Sequence, residues 1–227
     1  MEKLSEELRK ILYQEGATLV GFADLSNIKS SVLPVGIAVA IEIPKDIVLG
    51  IHNGPTLEYY ETYRTLNETL DKVVNKGASF LHQQGYEALA QTTTAVKTSE
   101  DHRTTLPHKT VATRAGLGWI GKSALLVTKE FGAAIRISSL LTNAPLIYDT
   151  PITKSLCGTC NQCKIACPGE AISGKEWTEH MDRDEFFDAY ACRAKARQIA
   201  KKEINKEITL CGKCFVVCPY TRRYVES

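Results

Sequence analysis

The chain has 227 residues, enough for one sizeable domain with a buried core and a second, smaller domain. Its formal net charge of +2 at pH 7 is too small to indicate nucleic acid as an obligatory partner. No apolar run approaches the roughly 20 residues of a membrane span, and the charged N-terminal segment is not typical of an export signal, so we expect a cytoplasmic protein without membrane contact.

Helical and strand patterns alternate through the first 150 residues. Apolar residues at intervals of three and four from Leu4 to Leu12 are typical of an amphipathic helix. The predicted elements are, in order, a helix ending at Gly16, strands over residues 18–22 and 36–43, a helix over 57–84, a strand over 86–93, a helix over 108–115, and a hairpin of strands 123–128 and 133–141. Within the long helix, Gly77 marks either a close approach of another element or a break. This order predicts an α+β sandwich domain over residues 1–150, followed by a small domain over residues 151–227.

Residues 116–123 match two nucleotide-binding patterns at once. Gly116, Gly118 and Gly121 fit G-x-G-x-x-G, and the string that continues through Lys122 and Ser123 fits G-x4-G-K-S. Both patterns require a strand before the glycines and a helix after them, so that phosphates meet the helix N-terminus. Here a predicted helix precedes the glycines and a predicted strand follows, so neither an ATP site nor a dinucleotide site is expected. The glycines would instead let the backbone approach a flat ligand or another backbone closely.

All eight cysteines lie between Cys157 and Cys218. The first four follow C-x2-C-x2-C-x3-C-P, and the last three follow C-x2-C-x3-C-P after one isolated cysteine. The first spacing is that of bacterial two-cluster ferredoxins, in which the fourth cysteine of a run binds the other cluster. The spacing therefore predicts two [4Fe–4S] clusters, one bound by Cys157, Cys160, Cys163 and Cys218 and the other by Cys167, Cys192, Cys211 and Cys214.

Disulfide bonds and zinc are the alternative uses of these cysteines. Disulfides need an oxidising compartment, which the absence of an export signal does not favour. Zinc ribbons use paired C-x2-C units, which a third close cysteine and a terminal Cys-Pro fit poorly. Each proline should turn the chain into a helix, beginning near Pro168 after the first run. A helix predicted over residues 182–202 has a basic face, which is either solvated or a docking face for an acidic electron donor.

The glycine string, followed by a hairpin and then by the cysteine runs, resembles the epoxyqueuosine reductase family, which is related to the reductive dehalogenases. The matching stretches are residues 114–122, 143–146, 149–151 and 157–160, together with Cys192 ahead of residues 211–214. The resemblance covers roughly the C-terminal half well and the N-terminal half in the order of its elements. The chain ends shortly after Cys218, as expected for a short variant of the family.

The resemblance implies a nitroreductase-like domain that holds cobalamin beside the two clusters. No D-x-H-x-x-G string is present, so the corrin should lack a strong lower ligand from the protein. The residues implied to contact the cofactor are Tyr60, His108, Lys109, Arg114, Gly116, Gly118, Trp119, Ile120, Gly121, Lys122 and Ser123. His108 and Lys109 could instead cap and solvate their helix, and Tyr60 could instead belong to the core or its rim.

The family carries an Asp-Thr-Gly-Pro segment whose aspartate is thought to deliver a proton. The corresponding segment of this chain is Ser-Glu-Asp-His-Arg, in which His102 or Asp101 could serve as the acid. A polar surface loop without a catalytic role is the other interpretation of this segment.

Three functions fit this resemblance. The first is a cobalamin-dependent iron–sulfur reductase, and the second is an electron-transfer or corrinoid-activating protein. The third is an FMN-dependent reductase, which is less expected because residues 1–25 contain no basic cluster for a flavin phosphate. A low-potential donor such as ferredoxin or flavodoxin is the expected partner. A small molecule, a corrinoid and tRNA all stay open as substrates, as does the oligomeric state.

Overall fold

The computed structural model describes residues 1–227, which form a mixed helix and sheet protein. The elements are α1 (Glu2–Gln14), β1 (Leu19–Asp24), β2 (Val35–Glu42), α2 (Lys45–Leu49), α3 (Leu57–Gln83), β3 (Ala88–Gln91), α4 (His108–Arg114), β4 (Trp119–Ile120), β5 (Leu126–Val127), β6 (Ile135–Thr142), α5 (Gln162–Ile165), a 3-10 turn (Arg183–Glu185), α6 (Ala189–Ile204), α7 (Lys213–Val216) and α8 (Pro219–Glu226). None of the helices combines the length and the apolar composition that a membrane-spanning helix needs.

The chain folds into two compact units, each assembled from three segments. The first unit consists of Met1–Glu42, Thr65–Gly118 and Arg136–Ile152, and the second of Ile43–Arg64, Trp119–Ile135 and Thr153–Ser227. All eight cysteines belong to the second unit. The functional division into domains 1–150 and 151–227 stays a prediction.

A four-stranded sheet organises the first unit, with strand order β1-β2-β6-β3. β1 and β2 are antiparallel, with Leu19 opposite Ala40, and β3 is antiparallel to β6, with Ala88 opposite Thr142. Every residue of β2 except the last is buried, as expected from its nearly continuous apolar run. The strand predicted over residues 36–43 is therefore confirmed.

Helices α1 and α3 supply much of the core of this unit. Leu8 and Leu12 of α1 are fully buried and pack in one cluster with residues of α3 and of the sheet. Gly77 lies within α3, and a Cβ added there would lie 2.9 Å from Leu12 Cδ2. The helix continues through this glycine, so Gly77 permits a close approach and does not mark a break.

The predicted hairpin of strands 123–128 and 133–141 is confirmed only at its turn, where Thr128 and Gly132 exchange backbone hydrogen bonds of 2.8 and 3.1 Å. β5 pairs with β4, placing Trp119 opposite Val127, whereas β6 joins the four-stranded sheet. The turn between β4 and β5 is closed by the Gly121 amide, which donates to the Leu125 carbonyl at 2.8 Å, and Ala124 takes a left-handed φ of 58°. A two-residue strand such as β4 is too short to produce a hydrophobic period, so the sequence pattern could not reveal it.

The two prolines that follow the cysteine runs behave differently. Pro219 is the first residue of α8, as expected for a proline at a helix start. No helix follows Pro168, because Glu170 takes a left-handed φ of 51° and the Ala171 amide turns back to the Cys167 sulfur. The helix expected there is therefore wrong.

The basic helix begins later than its apolar pattern indicated. The segment expected to start it is a separate 3-10 turn capped by Asp182. α6 then starts after Asp188, whose side chain accepts a 2.9 Å hydrogen bond from the Ala191 amide. Capping by aspartate at both positions explains the interruption, because an N-cap residue lies outside helical geometry.

Candidate iron–sulfur centre

The eight cysteines are free thiols, and each is partly buried. Burial raises the pKa of the Cys163 thiol to about 11. The neighbouring charges that add to this rise are those of Cys157, Cys218 and Cys160. These four thiols therefore lie close enough together to interact electrostatically.

A second set of thiols surrounds Cys192. Burial raises its pKa to about 11, and the charges of Cys167 and Cys211 raise it further. Burial also raises the pKa of Cys214, with smaller contributions from Cys211, Cys192, Cys163 and Cys167, so a thiol of the first set acts on this one as well. Each set would repel itself as four bare thiolates, so a cationic metal core or protons must neutralise it.

The loop that carries Cys157 is held by side chains from outside the cysteine run. The Cys157 amide donates to Ser155 Oγ at 3.2 Å, and the Gly158 amide donates to Glu176 Oε1 at 2.7 Å. Gly158 has a φ of 54°, in the region that favours glycine. These contacts fix the backbone at the first two residues of the run.

Lys122 contacts the same loop from the glycine string. Its side chain is buried, with 4% exposed, and its Nζ donates to the carbonyl oxygens of Gly158 at 2.7 Å and Cys160 at 2.9 Å. A third hydrogen bond, of 3.3 Å, goes to Asn161 Oδ1. An ammonium has three donors, and here each has an acceptor. The position predicted to contact a cofactor thus anchors the backbone between Cys157 and Cys163.

Two glycines of the string are packed against other parts of the chain. A Cβ on Gly116, which has a φ of 68°, would lie 2.6 Å from the Thr150 carbonyl oxygen. A Cβ on Gly121 would lie 2.8 Å from Val127 Cγ2 and 3.7 Å from Cys157 Sγ. The close approaches that these glycines permit are therefore occupied by the protein itself.

The second set of thiols has its own backbone contacts. The Ala171 amide donates to Cys167 Sγ at 3.4 Å. Gly212, between Cys211 and Lys213, has a φ of 86° and packs closely against Ile51. Lys213 Nζ donates to the His52 carbonyl at 2.6 Å, which ties this run to the segment before α3.

His108 begins α4 in the first unit and takes part in a polar cluster. Its Nδ1 lies 2.8 Å from Ser139 Oγ. Burial lowers the pKa of His108 from 6.5 to about 4, and the Arg136 cation lowers it further, while Asp71 opposes the shift. The imidazole is therefore neutral at neutral pH, and can both donate and accept a hydrogen bond.

Asp101 and His102 lie in a turn between β3 and α4. The Ser99 amide donates to the Arg103 carbonyl at 2.8 Å, and the His102 amide donates to the Ser99 carbonyl at 3.0 Å. Asp101 accepts from the Ser99 hydroxyl and forms an ion pair with Arg103 Nε at 3.3 Å. His102 has a left-handed φ of 58°, which belongs to this turn.

The other predicted contact residues divide between the units. Lys109, Arg114 and Gly118 belong to the first unit. The hydrogen bonds from Ser26 lower the pKa of Asp24, and the Arg114 cation adds a smaller contribution in the same direction. In the second unit Ile120 and Ser123 are buried, and the Tyr60 ring has Lys206 Nζ 5.3 Å from its centroid. The second unit also contains Trp119, which is fully buried.

Three residues that hold the cluster loop were not predicted from the sequence. Ser155 precedes the first cysteine, Asn161 lies within the run, and Glu176 lies 18 positions after the glycine that it binds. None has a spacing that distinguishes it from other polar residues. Only the folded chain brings Glu176 to Gly158.

The sequence comparisons concern this same region. Residues 156–221 match the 4Fe-4S double cluster binding domain, which supports two [4Fe–4S] clusters in this chain. The chain is 37% identical over 114 residues to an epoxyqueuosine reductase of Listeria monocytogenes, a match covering 49% of this chain and 29% of that protein. It is 34% identical over 119 residues to one of Cyclobacterium marinum, covering 49% and 36%. The chain is related to the epoxyqueuosine reductases.

Solved structures extend the likeness to nearly the whole chain. The epoxyqueuosine reductase of Streptococcus thermophilus aligns over 96% of this chain and 66% of its own, with a TM-score of 0.63 and 20% identity. A catabolic reductive dehalogenase aligns over 97% of this chain and 33% of its own, with a TM-score of 0.72 and 17% identity. At these identities the likeness is one of fold. The matched region spans about a third of the length of the curated epoxyqueuosine reductases.

Proposed function

We propose that this protein is an iron–sulfur reductase in which electrons pass through two [4Fe–4S] clusters to a bound corrinoid. The observation that supports it most is that all eight cysteines are free thiols within residues 156–221, the region that matches a double-cluster domain. The proposed ligands are Cys157, Cys160, Cys163 and Cys218 for one cluster and Cys167, Cys192, Cys211 and Cys214 for the other.

The surroundings of the thiols suit iron–sulfur clusters. Backbone amides that donate to sulfur, such as Ala171 to Cys167, stabilise the negative charge that a cluster and its thiolates carry. The buried Lys122 ammonium adds a positive charge beside the loop of the first set. Both features favour an electron-accepting cluster over a bare set of thiols.

Cobalamin is the proposed cofactor because of the structural relatives. A reductive dehalogenase of the same fold has a structure that suggests a mechanism for B12-dependent dehalogenation. When bound, a corrinoid supplies a strongly reducing cobalt centre. We propose that residues 1–150 form a nitroreductase-like domain for it, in which His108, Lys109 and Arg114 offer polar contacts. The sides of Gly116 and Gly121 that a Cβ would fill pack against the protein itself, so internal contacts hold the backbone of this string in place.

The proton donor of the reaction is proposed to be His102, or else Asp101. Both lie in the turn between β3 and α4, in the same unit as His108. Asp101 is exposed and held by Ser99 and Arg103, whereas His102 is half-buried. Replacing His102 by alanine should slow turnover and leave the cluster spectra intact, whereas full activity would remove its proposed role.

Electron transfer without substrate chemistry is the second candidate function. The observation that favours it is the internal packing of the glycine string, which gives Gly116 and Gly121 a role within the protein that needs no corrin. A low-potential ferredoxin or flavodoxin is the proposed donor for either function, and FMN is the less expected cofactor.

One epoxyqueuosine reductase of the same fold has been solved with an epoxyqueuosine-modified tRNA stem loop. A tRNA is therefore one proposed substrate, beside a small molecule or a corrinoid.

The test is anaerobic reconstitution followed by iron analysis and EPR, with and without added cobalamin. We expect about eight irons per chain and about four in a Cys163→Ala variant, with the other cluster retained. Base-off Co(II) signals after cobalamin addition would support the reductase. Clusters without corrin binding would leave the electron carrier, and unchanged iron in Cys163→Ala would overturn the ligand assignment.

A further inference from the structure

Trp119 carries the one buried side-chain nitrogen or oxygen of the chain that has no hydrogen-bond partner. Its side chain is fully buried, and its indole Nε1–H has no acceptor. Buried donors in folded proteins are almost always paired, and an indole N–H can only donate. An orphaned donor of this kind therefore points to an acceptor supplied by a bound group.

The pairing of β4 with β5 shows which side chains lie on the same face of this hairpin as the Trp119 indole. Trp119 lies directly opposite Val127, and residues opposite each other in an antiparallel pair have side chains on the same face. A Cβ on Gly121 would meet Val127 Cγ2 at 2.8 Å and Cys157 Sγ at 3.7 Å. Trp119, Val127 and the side of Gly121 that a Cβ would occupy therefore face the same region as the Cys157 sulfur.

A second contact links the indole to another cysteine of the same set. The rings of Trp119 and Tyr220 meet edge to face, with centroids 4.8 Å apart and an interplanar angle of 74°. Tyr220 lies two residues after Cys218, at the start of α8. The buried indole thus lies between chain segments that carry two thiols of one set, Cys157 and Cys218.

We propose that the indole N–H of Trp119 donates a hydrogen bond to a sulfur of the cluster bound by Cys157, Cys160, Cys163 and Cys218, and thereby raises its reduction potential. This inference rests on the proposed cluster ligands. When bound, the cluster would take up one electron from the low-potential donor, and the negative charge on its sulfurs would increase. A hydrogen bond to sulfur then stabilises the reduced form more than the oxidised form.

Lys122 acts on the potential of the same cluster in the same direction. Its ammonium is buried three residues after Trp119 and bonds the loop between Cys157 and Cys163. A positive charge near a cluster also favours the reduced state. The segment from residue 119 to 122 thus combines a neutral donor and a cation on one cluster, and we expect that cluster to be the more easily reduced of the two.

The test replaces the indole N–H and follows the two cluster potentials separately by redox titration with EPR. Trp119→Phe removes the donor, and benzothienylalanine at position 119 replaces N–H by sulfur in a ring of nearly the same shape. We expect both changes to move one midpoint potential to a more negative value and to leave the other unchanged, with full iron content. Val127→Ala alters packing on the same face without removing a donor, and should leave both potentials in place.

A spectroscopic test observes the hydrogen bond directly. The chain contains two tryptophans, so indole 15N labelling introduces only two labelled sites, Trp119 and Trp177. In pulsed EPR of the reduced protein, we expect a 15N hyperfine coupling that disappears in Trp119→Phe. Full iron with unmoved potentials and no such coupling would overturn this inference alone. Failure of the wild-type chain to assemble clusters would overturn the proposed function together with it.

Discussion

Lys122 donates a 2.7 Å hydrogen bond from its ammonium to the carbonyl oxygen of Gly158. The two residues are 36 positions apart, and both belong to the second unit. Through this bond the end of the β4 strand is joined to the turn that presents Cys157 and Cys160. The Lys122 ammonium bonds mainly to backbone carbonyls. It therefore fixes the shape of the loop whatever most of the loop's side chains are.

Replacing Lys122 by methionine should weaken cluster retention at this loop. The change removes two hydrogen bonds from an ammonium to backbone carbonyls, and hydrogen bonds to charged groups contribute about 1.5–3 kcal/mol each. We expect faster loss of iron to a chelator, restricted to about half of the iron. Lys164→Met is the matched control, because Lys164 is exposed beside Cys163 and its charge is solvated. Equal rates of iron loss in both variants would contradict the anchoring role.

Replacing Asp149 by asparagine should loosen the start of the sheet in the first unit. Asp149 Oδ2 accepts hydrogen bonds of 2.7 Å from both Arg9 Nη2 and the Phe22 amide. Loss of the charge-assisted bonds should cost about 1 kcal/mol, which corresponds to a roughly fivefold faster exchange of the Phe22 amide. Hydrogen–deuterium exchange measures this rate.

The control for Asp149 is Glu61→Gln. It removes the Arg64–Glu61 ion pair, in which both side chains are more than half exposed. Such pairs contribute about 0–1 kcal/mol, so exchange in β1 should be unaffected. An unchanged Phe22 rate in Asp149→Asn would show that the carboxylate does not hold the strand.

His108 should make the first unit less stable in mild acid. Its folded-state pKa is lowered from 6.5 to about 4, so between these values the unfolded chain binds a proton that the folded chain does not. Stability from this residue is therefore present above pH 6.5 and is lost as pH falls towards 4. Between about pH 7 and about pH 5.5 the loss should be about 1 kcal/mol.

The measurement is urea unfolding of the wild type and of His108→Gln at the two pH values. Glutamine keeps a donor and an acceptor but does not titrate in this range. The difference in unfolding free energy between the two pH values should therefore be about 1 kcal/mol larger for the wild type. An equal pH dependence of the two unfolding free energies would mean that the imidazole takes up a proton as readily in the folded chain as in the unfolded chain.

Replacing Gly21 by alanine should destabilise the contact of β1 with the end of α4. A Cβ at this position would overlap the Ala115 carbonyl oxygen, which belongs to the backbone and cannot rotate away. Overpacking of this kind costs about 1–3 kcal/mol. We expect a lower thermal unfolding midpoint for Gly21→Ala. Gly50→Ala is the control, since its Cβ would meet no atom closer than 3.4 Å, and a similar loss there would contradict the steric explanation.

Cysteine spacing was the most informative part of the sequence. The three close cysteines of a run must lie on one loop, and counting four ligands per cluster then assigns Cys192 and Cys218. The electrostatic neighbours of Cys163 and Cys192 belong to the predicted sets, whereas Cys214 interacts with Cys163 of the other set as well as with its own, so the assignment of ligands stays a prediction. The order of helix, glycines and strand likewise argued against a phosphate-binding loop, and in the structure α4 precedes the glycines and β5 follows them.

The contacts that support the cluster loop could not be predicted from the sequence. Lys122 and Glu176 reach Gly158 only through the tertiary fold, and nothing in their own neighbourhoods indicates that target. The β4 strand is also too short for periodicity to reveal it. Local patterns predict the cluster ligands, whereas the groups that position them are set by long-range packing.

The three hydrogen bonds of Lys122 have a consequence for repair. Its acceptors are two backbone carbonyls and an amide oxygen, and none of them is a sulfur or depends on iron for its charge. The loop should therefore keep its shape when its cluster is lost to oxygen. Rebuilding would then require the delivery of iron and sulfide to thiols already in position, without refolding of the surrounding chain.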